Sequence, residues 1–229
     1  MEKQQIEALL LSEAQQQQFS GWDFSVLKGR YAQEKLPWDY RAIVRKYLQK
    51  QLHWLDLGTG GGELLATFGH PPERTAVTEG WPKNYQLLLT TLRPKGVEVV
   101  FEEASHELAF PDEQFDLVTS SHAGFTVAEV KRVLKPGGYF ITQQVGDRNG
   151  NQLAARLHCA KPRFELNAAS VTAELRQAGF TILQQAEAYP KQFFYDLAAL
   201  VYYVRTISWE YPDFAVKDKL PELEQLAEE

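Results

Sequence analysis

The chain has 229 residues, with 24 lysines and arginines against 30 acids and a formal net charge of −6. That length can bury one sizeable core, while the absence of any basic block argues against nucleic acid as the main partner. One cysteine, Cys159, excludes an internal disulfide or a cysteine-based zinc cluster; the longest apolar run, Leu197 to Val204, is far too short to span a bilayer.

The start, Met1-Glu2-Lys3-Gln4-Gln5, has no signal-peptide character, so a cytoplasmic protein is expected. Ile6, Leu9 and Leu10 fall at helical spacing within residues 1–18, and Gln15 to Gln18 reads as the solvated face of that helix. Pro37-Trp38-Asp39 reads as a second helix start, with Ile43, Val44, Tyr47 and Leu48 as its apolar stripe. From there the pattern alternates. Strands are predicted at 53–58, 74–80, 97–103, 115–121, 139–146 and 180–188, with helices at 62–68, 82–93, 126–134 and 168–178. Pro136-Gly137-Gly138 is the expected turn into the fifth strand, and Gly179 the stop before the sixth. The fold class is therefore α/β, a Rossmann-like, mostly parallel sheet with helices on both faces. Residues 1–50 are read as an N-terminal helical cap, 51–188 as the core and 189–229 as an aromatic-rich helical cap, all in one compact domain. Val216 to Glu229 is charged and helical in pattern, so six strands are expected and none after residue 205.

The segment Trp54-Leu55-Asp56-Leu57-Gly58-Thr59-Gly60-Gly61-Gly62-Glu63 carries the chemistry. A buried strand with one embedded acid falls into a glycine turn and a helix start. Glycines at 58, 60 and 62 would let a bound molecule reach the loop amides. A dinucleotide fingerprint counted from Gly58 needs a glycine at residue 63, which is Glu, and Asp56 would repel phosphates. A cationic ligand without phosphates suits the pattern better, which favours S-adenosylmethionine (SAM) over NAD.

From about residue 50 to 146 the chain resembles a class I SAM-dependent methyltransferase. Asp56-x-Gly58-x-Gly60-x-Gly62 matches that family's first motif, and Glu79 closes Thr75-Ala76-Val77-Thr78-Glu79 about twenty residues later. Leu108-Ala109-Phe110-Pro111-Asp112-Glu113-Gln114-Phe115-Asp116-Leu117-Val118 resembles the family's LPFxDxxFDLV block, and Arg132-Val133-Leu134-Lys135-Pro136-Gly137-Gly138 its RVLKPGG block. The resemblance implies that Asp56, Gly58, Thr59, Gly60 and Ser121 surround SAM and that Glu79 holds the ribose hydroxyls. Gly80 stands where relatives often place an apolar residue against the adenine, so Trp81 or a residue from elsewhere would pack there. The family's adenine-side acid falls at Ala104, beside Ser105, or at Glu103 if one residue is inserted; both alignments stay open. Members usually end with a seventh, antiparallel strand, which is not evident in this chain.

Methyl transfer needs alignment and exclusion of water, and a base only where the acceptor must first lose a proton. His122, after the fourth strand, is either that base or a hydrogen-bonding residue that shapes the acceptor site. His53 precedes the first strand and is read as structural. His70, His106 and His158 lack ligand spacing, so no metal site is expected. Glu63 suits the start of its helix. Two aromatic clusters flank the core: Phe19, Trp22, Phe24, Tyr31, Trp38 and Tyr40, then Tyr189, Phe193, Phe194, Tyr195, Tyr202, Tyr203, Trp209, Tyr211 and Phe214. Residues 19–40 and 189–214 are where a lid and a pocket for a small, partly apolar acceptor would be built. The expected function is SAM-dependent methylation of a small molecule. An RNA methyltransferase and a non-catalytic SAM-binding protein are the alternatives, with an NAD-dependent oxidoreductase further off. Acceptor and oligomeric state are not legible.

Overall fold

A computed structural model of the chain describes residues 1–15, 24–103, 107–161 and 164–228. Its centre is a five-stranded sheet of β2 (Trp54–Leu57), β3 (Thr75–Glu79), β4 (Glu98–Phe101), β5 (Phe115–Ser121) and β6 (Leu134–Gln143), in the order β4-β3-β2-β5-β6. Every neighbouring pair is parallel. Strands β2 and β3 are buried along their whole length, as central strands of a parallel sheet covered on both faces should be. The chain enters at β2, builds outward to β4, and returns to the other side of β2 through β5. The order therefore reverses beside β2, and the carboxyl ends of β2 and β5 flank that crevice.

Helices α3 (Glu63–Ala66), α4 (Pro82–Thr91) and α5 (Val127–Val133) connect these strands. Leu55, Leu57, Phe115 and Val118 pack with Val130 and Val133 in one apolar cluster, while Trp54, Val77 and Leu117 pack with Leu88 and Leu92 in another. Alternate residues of β2 thus enter different clusters, as the period of a strand requires.

Two expectations about strands need correction. Leu134 to Gly138 are not a turn before the fifth strand; they are its first half, with a register irregularity between Phe115 and Leu117 on the partner. The strand expected at 180–188 does not form. After α7 (Ala168–Gln177), Phe180 touches Phe140 with ring centroids 6.4 Å apart, and the following residues run without ladder pairing. Both β6 and this segment border a broad cleft, and alternation alone cannot make a strand without a neighbouring edge. Among the described residues no strand follows residue 205.

The two ends of the chain are also joined more closely than separate caps would be. Helix α1 (Lys3–Gln15) packs on α8 (Leu197–Thr206), and α6 (Asn151–Arg156) and α9 (Leu220–Ala227) complete the layer. Leu9, Leu157, Val201, Val204, Tyr211, Phe214 and Leu223 share one buried core there. A short antiparallel ribbon, β1 (Tyr31–Gln33) with β7 (Gln192–Phe194), stitches the two aromatic segments together. Tyr31 stacks on Tyr203 at 5.5 Å, and Phe24, Trp81 and Tyr203 surround Leu27, Ala199 and Tyr202. Phe19 and Trp22 lie outside the described residues. No helix among the described residues is long and apolar enough to cross a membrane.

Candidate functional site

Asp56 is the acid embedded in β2, and it is 7% exposed. Its position is fixed by a short relay. Trp54 Nε1 donates to Thr119 Oγ1 at 2.8 Å, and the Thr119 hydroxyl donates to Asp56 Oδ1 at 2.6 Å. An indole can only donate, so the direction of the relay is set. The parallel register places Asp56 opposite Thr119, and so brings the three side chains onto one face. Burial pushes the Asp56 pKa up to about 6, against the Thr119 hydrogen bond that favours the ionised form.

The glycine loop departs from the sequence reading. Its amides were expected to face a ligand, but most bond to the protein. Gly58 N donates to Thr78 Oγ1 at 3.1 Å, Thr59 N to Thr78 O at 3.0 Å, and Gly60 N to Glu79 Oε2 at 2.7 Å. The loop follows the end of β3, and buried amides take the nearest acceptors. The glycines answer to turn geometry: Gly58 has φ +60° and a Cβ there would lie 2.2 Å from Ala123 Cβ, while Gly60 has φ +65°. Glu63 folds over Gly61 in the first turn of α3, favourable to the helix dipole.

Glu79 is not free to point across the sheet edge either. It is 6% exposed; Oε2 takes Gly60 N, and Oε1 takes Trp81 N at 2.8 Å. Burial raises its pKa, opposed by the backbone amides of Trp81, Gly60 and Gly80. Each oxygen keeps a second lone pair, so the anchor retains accepting capacity. At Gly80 a Cβ would come 2.6 Å from Glu102 O, which explains the glycine by backbone approach. Trp81 heads α4 and packs with the Leu27–Ala199–Tyr202 cluster of the cap. Ala104 and Ser105 lie outside the described residues, as does His106.

Among the described residues neither Asp56 nor Glu79 has an ion-pair partner. Two buried carboxylates without a cation make a negative potential at the switch in strand order. Tyr40 and Thr59 border the cleft with Asp56, the Thr59 hydroxyl beside the Asp56 carboxylate and the Tyr40 hydroxyl beside Thr119. Burial first, and then the Asp56 charge, drive the Tyr40 pKa far above its ordinary value. Tyr40 heads α2 (Tyr40–Tyr47), whose N-cap Asp39 accepts from Ala42 N, so a helix start delivers its hydroxyl to the site. The sequence placed Tyr40 only in an aromatic cluster; the approach of its hydroxyl to Asp56 was not visible there.

The cleft has a volume of about 3800 Å³ and reaches from this edge into the aromatic cap, with Asp56, Gly58, Thr59, Ser121 and His122 in its wall. His122 adopts φ +65°, a left-handed conformation that costs a non-glycine residue about 1–2 kcal/mol. Its backbone N donates to Gln143 O at 2.9 Å, and burial lowers its pKa below 6.5. His53 sits at the opposite end of β2, where its backbone N meets Asp116 Oδ2 at 2.8 Å; His70 Nδ1 lies 2.8 Å from Thr75 Oγ1.

A profile for a methyltransferase domain matches residues 55–142. No curated protein matches the chain. Among solved structures, a chain of the Haloferax volcanii complex containing the Trm112 methyltransferase activator is 22% identical, with a TM-score of 0.50 over 61% of this chain and 67% of that one. A SAM-dependent methyltransferase from Aquifex aeolicus is 17% identical, covering 73% of this chain and 87% of its own, with a TM-score of 0.48. The ordered sequence blocks and the parallel sheet agree with the profile: residues 55–142 match a methyltransferase domain, carried on a Rossmann-like sheet.

Proposed function

We propose that this protein transfers the methyl group of SAM to a small-molecule acceptor. The reading is carried by the two buried carboxylates, Asp56 and Glu79, which meet no cation among the described residues and stand at the carboxyl edge of the sheet. A ligand with an ammonium, a sulfonium and paired hydroxyls would satisfy both. The hydroxyls of Tyr40 and Thr59 beside Asp56 fit the same chemistry, since each can donate to a carboxylate or accept from an ammonium.

When bound, SAM supplies an activated methyl group on a good leaving group. The chain's own task is then to bind, align and exclude water. Glu79 would accept from the ribose hydroxyls while its Gly60 bond holds the loop in place. Asp56, ionised at neutral pH, would stabilise positive charge at the other end of the ligand. His122 and Ser121, at the end of β5, border the space left for the acceptor. Tyr31, Trp38 and Tyr203, also in the cleft wall, offer apolar faces with polar tips, which suits a small, partly apolar acceptor.

The test is a screen of metabolite extracts with methyl-labelled SAM. Label in a small-molecule product supports the reading, and label confined to RNA would replace the small-molecule acceptor with a nucleic acid. Tight SAM binding with no label transferred to either would favour a protein that binds SAM without turning it over.

A further inference from the structure

His122 is held by a chain of hydrogen bonds that begins at Trp38, 105 residues before its partner Gln143. Trp38 Nε1 donates to Gln143 Oε1 at 3.1 Å. Because an indole nitrogen can only donate, the amide oxygen of Gln143 must be the atom that faces Trp38. The amide nitrogen therefore faces the other way, and its two hydrogens have two receivers. It lies 3.2 Å from Ser121 Oγ and 3.1 Å from His122 Nε2. An NH2 group has nothing to accept with, so His122 Nε2 must be the acceptor and cannot carry a proton in the neutral ring. The remaining proton then sits on Nδ1.

We propose that Trp38 and Gln143 are positioning residues that hold His122 as its Nδ1–H tautomer, so that the nitrogen left for an acceptor molecule is a hydrogen-bond donor and not a base. The inference deepens the methyl-transfer reading and rests on it for the identity of that molecule. Two further observations agree. The left-handed backbone at His122 is tied to Gln143 a second time, through His122 N and Gln143 O, so the ring and its partner move as one unit. The charged ring would need a proton on both nitrogens and would displace the Gln143 amide.

The consequence is a substrate class. The acceptor should present a lone pair to His122, as a carbonyl, ether, hydroxyl or ring-nitrogen atom does. It should also arrive with its nucleophilic atom already free of the proton that methylation would displace, because Nδ1–H cannot remove one.

The tautomer can be read without any ligand. In protein labelled with ¹⁵N at histidine, long-range proton–nitrogen correlations distinguish Nδ1–H from Nε2–H, and His122→Gln identifies the signal. The parent should show Nδ1–H alone. Trp38→Phe removes the donor that orients the amide, and should convert that single pattern into a mixture. Gln143→Glu offers an acceptor to Nε2 and should move the proton there. An Nε2–H pattern in the parent, or an unchanged pattern in both variants, would overturn the proposal. A parent that shows Nδ1–H yet fails to bind SAM would instead sink the methyl-transfer reading and leave the tautomer assignment standing.

Discussion

The carboxylate of Glu79 accepts the amide of Gly60 at 2.7 Å, so the acid at the end of β3 and the loop after β2 form one rigid unit. Glu79→Ala should therefore act twice. Leaving the Gly60 and Trp81 amides without their acceptor should cost about 1–3 kcal/mol of stability, visible as a lower melting temperature. SAM affinity should fall on the order of ten- to a hundredfold. Glu79→Gln, which keeps one accepting oxygen, should lose less in both assays. Melting curves followed by calorimetric titration separate the two effects.

Asp56 gives a pH signature. Its folded-state pKa of about 6 exceeds the ordinary 3.8, so between about pH 4 and pH 6 the folded protein holds a proton that the unfolded chain has released. Unfolding free energy should fall as pH rises through that window, by about 3 kcal/mol from this group. Asp56→Asn keeps an oxygen for the Thr119 hydroxyl and should flatten the slope, melting higher than the parent at pH 7.5. The same substitution should weaken SAM. In the parent, SAM affinity should rise from pH 5 to pH 7 as the carboxylate ionises.

Gly58 has no room for a side chain. Gly58→Ala would force a methyl group to 2.2 Å from Ala123 Cβ at a φ of +60°. Overpacking together with left-handed strain should cost about 2–4 kcal/mol. Chemical denaturation would check this, and Ala123→Gly in the same chain should recover the packing part but not the strain.

Asp196 joins the ribbon to α8. It receives Arg30 through two bonds, at 2.8 and 2.6 Å, and caps the helix by accepting from Ala199 N at 2.8 Å. Both charges are substantially exposed, so the cap should outweigh the ion pair. Asp196→Ala should cost about 1–2 kcal/mol, and Asp196→Asn, which keeps the cap, under about 1 kcal/mol. Thermal melts at low and high salt would show little difference for the parent.

What the sequence made legible follows from range. The strands β2, β3 and β5 have apolar centres that announce themselves locally, and the turn glycines and Asp39 cap mark their own positions. The segment 180–188 has an apolar start but no partner edge, and pairing is a property of two segments. The ribbon between Tyr31–Gln33 and Gln192–Phe194, and the core shared by α1 and α8, depend on contacts across most of the chain. At the site, Asp56 and Glu79 stood out by position in a motif. That Glu79 would fold onto the loop, that Tyr40 would bring a hydroxyl beside Asp56, and that Trp38 would orient Gln143 against His122 required the tertiary fold.

Calorimetric titration of the parent protein at pH 7.5 with SAM, and separately with NAD, tests whether the two buried acids beside the glycine loop hold a cationic nucleoside. Saturable one-to-one binding of SAM is expected, weakened on the order of ten- to a hundredfold in Glu79→Ala, with no heat of binding for NAD. Binding of NAD without SAM, or SAM binding unchanged in Glu79→Ala, would contradict it.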